Sequence, residues 1–258
     1  MTNLFDLAAF SAIVSEPRFA VAIGIAALAG LVRGFTGFGS ALIYVPLMSA
    51  VYGPRVAVPT ILVIDTICAL PWTIKAWRDA NWRELWPVSV ASTLAIPLGV
   101  MLLVYVDALI LRWLICVLVA IALATLISGW RYHGKPTLLA SLATGAASGL
   151  GGGSVQIAAP PLLLFWLGGQ SRAVTIRANI MMCLQISGLI SLVSYSVGGV
   201  LTTEVLSLSA LIGVPFLLAV GLGASGFHRS SDTHYRRIAY VIIGAAALVS
   251  LPIFDGLR

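Results

Sequence analysis

Read from one charge to the next, the chain is a series of long apolar runs: 19–52 (interrupted only by Arg33), 56–74, 85–106, 108–130, 137–171, 173–200, 205–227 and 236–254. A helix crosses the hydrocarbon core of a bilayer in about 20 residues. Six of the runs therefore predict one crossing each. The runs 19–52 and 137–171 are too long for one crossing and too short for two full ones with a loop. They are also the two that carry glycine-rich stretches, GFTGFGSALIYVP at Gly34–Pro46 and GLGGGSVQIAAPP at Gly149–Pro161. Glycine lets a chain turn and lets backbones approach closely. Each long run is expected to break there and double back as a re-entrant hairpin, unless the glycines serve only tight helix packing.

The two halves repeat. Gly37, Gly39, Ser40 and Pro46 align with Gly151, Gly153, Ser154 and Pro160, and Pro97 with Pro215. Asp107 and Arg112 align with Asp232 and Arg237, each Asp reading as a helix N-cap after a tight turn. The expected architecture is an all-α polytopic membrane protein. An interfacial segment, 1–17, precedes repeat 1 over 18–133 and repeat 2 over 134–258. Each repeat has one hairpin followed by three transmembrane helices.

Loop charge sets the orientation. If each glycine-rich run crossed once, Lys and Arg would divide 7 to 6 between the two sides. If each doubles back, the division is 9 to 4, and only this obeys the positive-inside rule. Hairpins give each half an odd number of crossings, so the repeats are expected to be inverted, a transporter architecture. Both termini then face the periplasm and the 75–84, 131–136 and 228–237 loops face the cytoplasm of a bacterial inner membrane.

Composition agrees. Of 258 residues, 60% are hydrophobic and 9% charged, against about 25% charged in a soluble domain. Mean hydropathy is +1.03. The net charge of +6 is scattered over short loops without a basic patch, which argues against a nucleic-acid partner. The three cysteines, Cys68, Cys116 and Cys183, lie in apolar runs without metal-ligand spacing and are expected to pack as small hydrophobes. His133, His228 and His234 are far apart, so no metal site is expected, and no motif implies a cofactor.

The candidate chemistry lies at the breaks. A helix restarting at Ser40, and another near Ser154, would each present free backbone N–H groups and a positive dipole end to an anion. Gly39, Gly152 and Gly153 would expose the backbone, and Ser40, Ser154 and Gln156 would add donors. Three ionisable residues fall inside predicted spans: Arg33, Asp65 and Arg177. Such residues are functional candidates by default. Arg33 and Asp65 are close enough in sequence to form a structural pair, and Asp65 is alternatively a carrier of a coupling proton. Arg177 is then the spare cation, unless it reaches to the interface. Arg55 sits where the first hairpin ends, as a ligand at its mouth or as an ordinary boundary charge.

GLVRGFTGFGSALIYVPLM in the first half, with GAASGLGGGSVQIAAPPLLLFWLG and AVTIRANI in the second, resembles the sulfite exporter TauE/SafE family, bacterial permeases for sulfur-containing and related organic anions. The resemblance covers essentially the whole chain. It implies a secondary transporter, not an enzyme, that moves sulfite or a related oxyanion by alternating access. The ligand would lie between the hairpin tips and a buried arginine. GFGS in the first half against GGGS in the second implies that the two half-sites differ at Phe38. An anion channel is the alternative reading, distinguished by unitary currents. An intramembrane enzyme would need a nucleophile–base pair, and no span holds a histidine.

Overall fold

The computed structural model describes residues 13–37, 39–129, 132, 137–169, 171–227 and 232–253. His133, His228, Phe38, the side chains of Asp232 and His234, and most of the N-terminal segment lie outside them. Among the described residues the order is α1 (Pro17–Thr36), α2 (Ser40–Tyr52), α3 (Pro54–Ala76), α4 (Trp82–Tyr105), α5 (Ala108–Ser128), α6 (Leu138–Val155), α7 (Ala159–Trp166), α8 (Ala173–Val197), α9 (Thr203–Phe227) and α10 (Asp232–Val249), with no strand.

The protein is a polytopic membrane protein. Among the described residues, six helices are long and apolar enough to cross a bilayer: Pro17–Gly34, Pro54–Ala76, Trp82–Tyr105, Ala108–Ser128, Ala173–Val197 and Thr203–Ser225. Leu94, Val193, Val197 and Leu222 are exposed on their helices, as befits a surface solvated by lipid tails. Helix ends follow local chemistry. Asp107 caps α5 as expected, its Oδ1 accepting from Leu109 N at 2.8 Å. Thr137 caps α6, accepting from Ala140 N at 3.2 Å. Cys68, Cys116 and Cys183 are free and buried, in keeping with small hydrophobes.

The helices form two compact units, and each draws on both halves of the sequence. The first comprises Met1–Ile64, Asp107–Leu123 and Gly199–Arg258; the second comprises Asp65–Val106 and Ala124–Gly198. In the first, α1 lies along α9. Gly30 faces the Phe216 carbonyl and Ala219, and Gly34 faces the Val220 carbonyl and Gly223. In the second, α6 lies along α4. Gly149 faces the Ser92 carbonyl and Ala95, and Gly153 faces the Ile96 carbonyl and Gly99. In both pairs the contacts rise together along the two helices, so the pairs are parallel. Lipid offers no hydrophobic drive for helices to associate, so contact at small residues holds them.

The same contact pattern thus occurs twice, with Gly30 and Gly34 in the place of Gly149 and Gly153. This corrects the register expected from the sequence. Gly37 does not correspond to Gly151, nor Ser40 to Ser154. Gly37 and Gln156 each end their helix in a left-handed conformation. The helices that follow begin at Ser40 and at Ala159. The glycines of the second half are matched by composition to a break that lies beyond them.

Candidate functional site

In the first unit the chain breaks between α1 and α2. Gly37 turns at φ 76° and its N–H donates to the Arg33 carbonyl at 2.7 Å. Gly39 follows at φ 91° and precedes α2. Side chains rarely adopt either conformation. No side chain caps the start of α2. Arg33, one turn before the end of α1, reaches across the break, and its Nη1 donates to Ser40 Oγ at 3.2 Å. Ser40 is buried and Arg33 half-buried. One guanidinium, one hydroxyl and the positive end of a 13-residue helix therefore meet at one place. A planar guanidinium donates to two oxygens at once, and a helix N-terminus adds the positive end of its dipole, so this arrangement suits an oxyanion.

The other end of this segment is marked by Arg18, whose guanidinium lies 5.3 Å from the centre of the Tyr52 ring. The start of α1 and the end of α2 are thus side by side. Arg55 is exposed at the start of α3, just beyond Tyr52. The 13 residues of α2 put that level about 20 Å from Ser40.

The second break is built differently. α6 runs through Gly151–Ser154 to Val155, so the helix expected to restart near Ser154 has not yet ended there. Gln156 makes the turn at φ 59°, the one non-glycine residue with positive φ among those described. That conformation is strained, and a network holds it. The Gln156 N–H donates to the Gly152 carbonyl at 3.2 Å, and its Nε2 donates there at 2.9 Å. The Tyr195 hydroxyl, 3.5 Å from Nε2, donates to the Gly153 carbonyl at 2.8 Å. Ser154 Oγ donates to the Leu150 carbonyl in its own helix at 2.7 Å, and Ser148 Oγ to the Ala158 carbonyl at 2.9 Å. The structure brings Gly152, Gly153, Ser154 and Gln156 together, but the polar groups seen here serve the backbone. Pro160 and Pro161 open α7 and lack the N–H groups an anion would use. The two breaks are unequal in chemistry. In the last turn of α7, the Leu164 carbonyl accepts from Tyr132 N at 3.0 Å, so the end of α7 returns to the chain that precedes α6.

α8 carries the polar residues that sequence reasoning overlooked. Asn179, Cys183, Ser187, Ser191 and Tyr195 recur every four residues and are all buried. Ser187 Oγ is 2.9 Å from Ser92 Oγ on α4. Gln185 lies between α8 and α3, 3.4 Å from Thr73 Oγ1 and donating to the Thr66 carbonyl at 3.4 Å. α8 meets the second break through Tyr195. Arg177 is eighteen residues earlier on the same helix, about 27 Å along the axis. It is exposed, two positions from buried Asn179 and so on the opposite face. Asp65, half-buried on α3, opens the second unit.

The model of the sulfite exporter TauE/SafE family matches residues 22–250, most of the chain. The chain belongs to that family. It is accordingly a membrane transporter and not an enzyme, and its ligand is a small anion. No curated relative and no solved structure shows significant similarity to the chain. Within this TauE/SafE member, the break between α1 and α2 is where helix-end geometry and a cation coincide.

Proposed function

We propose that the protein is a secondary transporter for sulfite or a related small oxyanion, and that the anion binds at the α1–α2 break against Arg33, Ser40 and the N–H groups following Gly39. The observation that carries the reading is the hydrogen bond from Arg33 to Ser40 at an uncapped helix start. A charge-assisted donor beside the positive end of a helix binds an oxyanion and has no use for a cation. Gln156, Gly152, Gly153 and Ser154 shape the corresponding turn of the second half without supplying a second anion cradle. Arg33 takes the role expected of Arg177, whose place is at the far end of α8. Arg55 recruits anions at the outer end of the first segment. Asp65 carries a proton or balances a cation in the transport cycle.

On this reading both glycine-rich segments are re-entrant hairpins. Support comes from Arg18 beside Tyr52 in one and Tyr132 beside Leu164 in the other. The halves are inverted repeats, which the recurring glycine contacts of α1 with α9 and α6 with α4 favour. Alternating access is the motion such repeats support. Both termini then lie in the periplasm and the protein in a bacterial inner membrane.

The test is thermal stabilisation of the purified protein by a panel of sulfite, sulfate, sulfoacetate, taurine, lactate and chloride. A ligand that binds the folded state raises its stability by mass action. The expected result is stabilisation by a sulfur oxyanion that Arg33→Ala abolishes. Stabilisation that survives Arg33→Ala would place the anion elsewhere.

A further inference from the structure

The second unit has a cationic and aromatic end that the transport reading does not use. Lys75 and Arg78 close α3 and the turn after it, Arg83 opens α4, and Arg172 and Arg177 open α8; apart from half-buried Trp82, the tryptophans and cations of this end are exposed. Two clamps gather these three chain segments. Asn81 N donates to Asn179 Oδ1 at 2.8 Å, and Ser171 Oγ donates to Glu84 Oε1 at 3.3 Å. The acids of this end are exposed Asp79 and half-buried Glu84, and Glu84 is engaged by Ser171 and by Asn81 Nδ2 at 2.8 Å. Positive charge therefore predominates here.

Tryptophan fixes the level. Trp72, Trp77 and Trp86 each leave more than half their surface exposed. Trp77 and Trp82 pack ring to ring, 4.4 Å between centroids, and Lys75 Nζ stands 5.6 Å from the centre of the Trp72 ring. Indoles with one apolar and one polar edge settle at the headgroup level of a bilayer. On α3, Ile67 and Leu70 below the tryptophans and Ile74 among them form an exposed apolar track. A headgroup-level cluster of cations above a lipid-facing track meets a ligand with a phosphate at one end and acyl chains at the other.

We infer that this end of the second unit binds the phosphate headgroup of an anionic phospholipid. Lys75, Arg78 and Arg83 take the phosphate, and Ile67, Leu70 and Ile74 take a chain. The inference needs the protein to span a membrane but does not depend on which anion it transports.

The experiment is native mass spectrometry of the full chain released from micelles with equal amounts of phosphatidylglycerol and phosphatidylcholine. It is done for the wild type and for the triple variant Lys75→Gln, Arg78→Gln, Arg83→Gln. Each cation at an anionic lipid surface is worth about fivefold in affinity, so the triple variant should bind phosphatidylglycerol on the order of a hundredfold more weakly. The wild type should retain phosphatidylglycerol over phosphatidylcholine, the preference should fall as salt rises, and millimolar inorganic phosphate should not displace the lipid. Equal retention of the two lipids by the wild type would overturn the proposal. So would phosphatidylglycerol binding by the variant at the wild-type level. Displacement by inorganic phosphate would make this a free-anion site and overturn it as well. If the variant fails to fold, the wild-type lipid preference and its salt dependence still decide.

Discussion

Gly99→Ala adds one methyl group where α4 crosses α6. A Cβ there would lie 2.6 Å from the Leu150 carbonyl oxygen, 2.9 Å from Ser154 N and 3.0 Å from Gly153 Cα. All three are backbone atoms, so no side chain can swing away, and the helices must part by a large fraction of an ångström. Overpacking of this kind costs about 1–3 kcal/mol. Alanine is also a better helix former than glycine, by about 1 kcal/mol, which partly hides the loss. Gly24→Ala supplies the control. It receives the same propensity gain, and a Cβ there meets no atom within 4 Å. The difference between the two variants isolates the packing term, so Gly99→Ala should be less stable than Gly24→Ala by about 1–3 kcal/mol. The assay is reversible unfolding in mixed micelles with rising dodecyl sulfate, followed by tryptophan fluorescence. Equal stability of the two variants would show that α4 and α6 do not rely on glycine contact. The paired helices would then have to be held by other means.

Tyr195→Phe leaves the Gly153 carbonyl without its side-chain donor and should cost about 1–3 kcal/mol in the same assay; an unchanged midpoint would mean that the strained turn at Gln156 does not lean on Tyr195. Asp107→Ala removes the cap of α5 and should cost about 1 kcal/mol, recovered by Asp107→Asn; failure of asparagine to rescue would point to charge and not to the cap. Cysteines at Asp79 and at Glu204, both exposed, placed singly in a cysteine-free background, should label from the cytoplasm and from the periplasm respectively. Labelling from the same side would contradict the hairpin topology.

The apolar runs and their ends carried most of the fold. Runs bounded by charges or turn residues became α3, α4, α5, α8 and α9 with ends shifted by a few residues, because a bilayer demands apolar length and little else competes with it. The first break was legible for the same reason that it is sharp: Gly37 and Gly39 both need a left-handed backbone. The second was displaced because glycine has two uses. In Gly149–Gly153 it admits α4 at close range, and composition alone does not separate that from a turn. The four-residue spacing of Gly145, Gly149 and Gly153, with Pro160 and Pro161 after the true break, held the distinguishing signal. Gln156 in a left-handed conformation was beyond sequence reasoning, since its strain is held by Tyr195, far along the chain. The position of Arg177 could have been read. Polar residues at 179, 183, 187, 191 and 195 mark the buried face of α8, and a residue two positions before that series points away from it.

The assignment of the anion to the α1–α2 break meets its most direct test in substrate flux and affinity for Arg33→Ala beside Arg177→Ala. Both are reconstituted in proteoliposomes at matched incorporation, with sulfite as the probe. Losing a charge-assisted hydrogen bond to a ligand costs about 1.5–3 kcal/mol. Arg33→Ala should therefore weaken sulfite roughly tenfold to a hundredfold, with partial recovery in Arg33→Lys, whose ammonium makes only a point contact. Arg177→Ala should keep wild-type affinity. Wild-type affinity and flux in a well-folded Arg33→Ala, with loss in Arg177→Ala, would contradict the account and move the anion to the far end of α8.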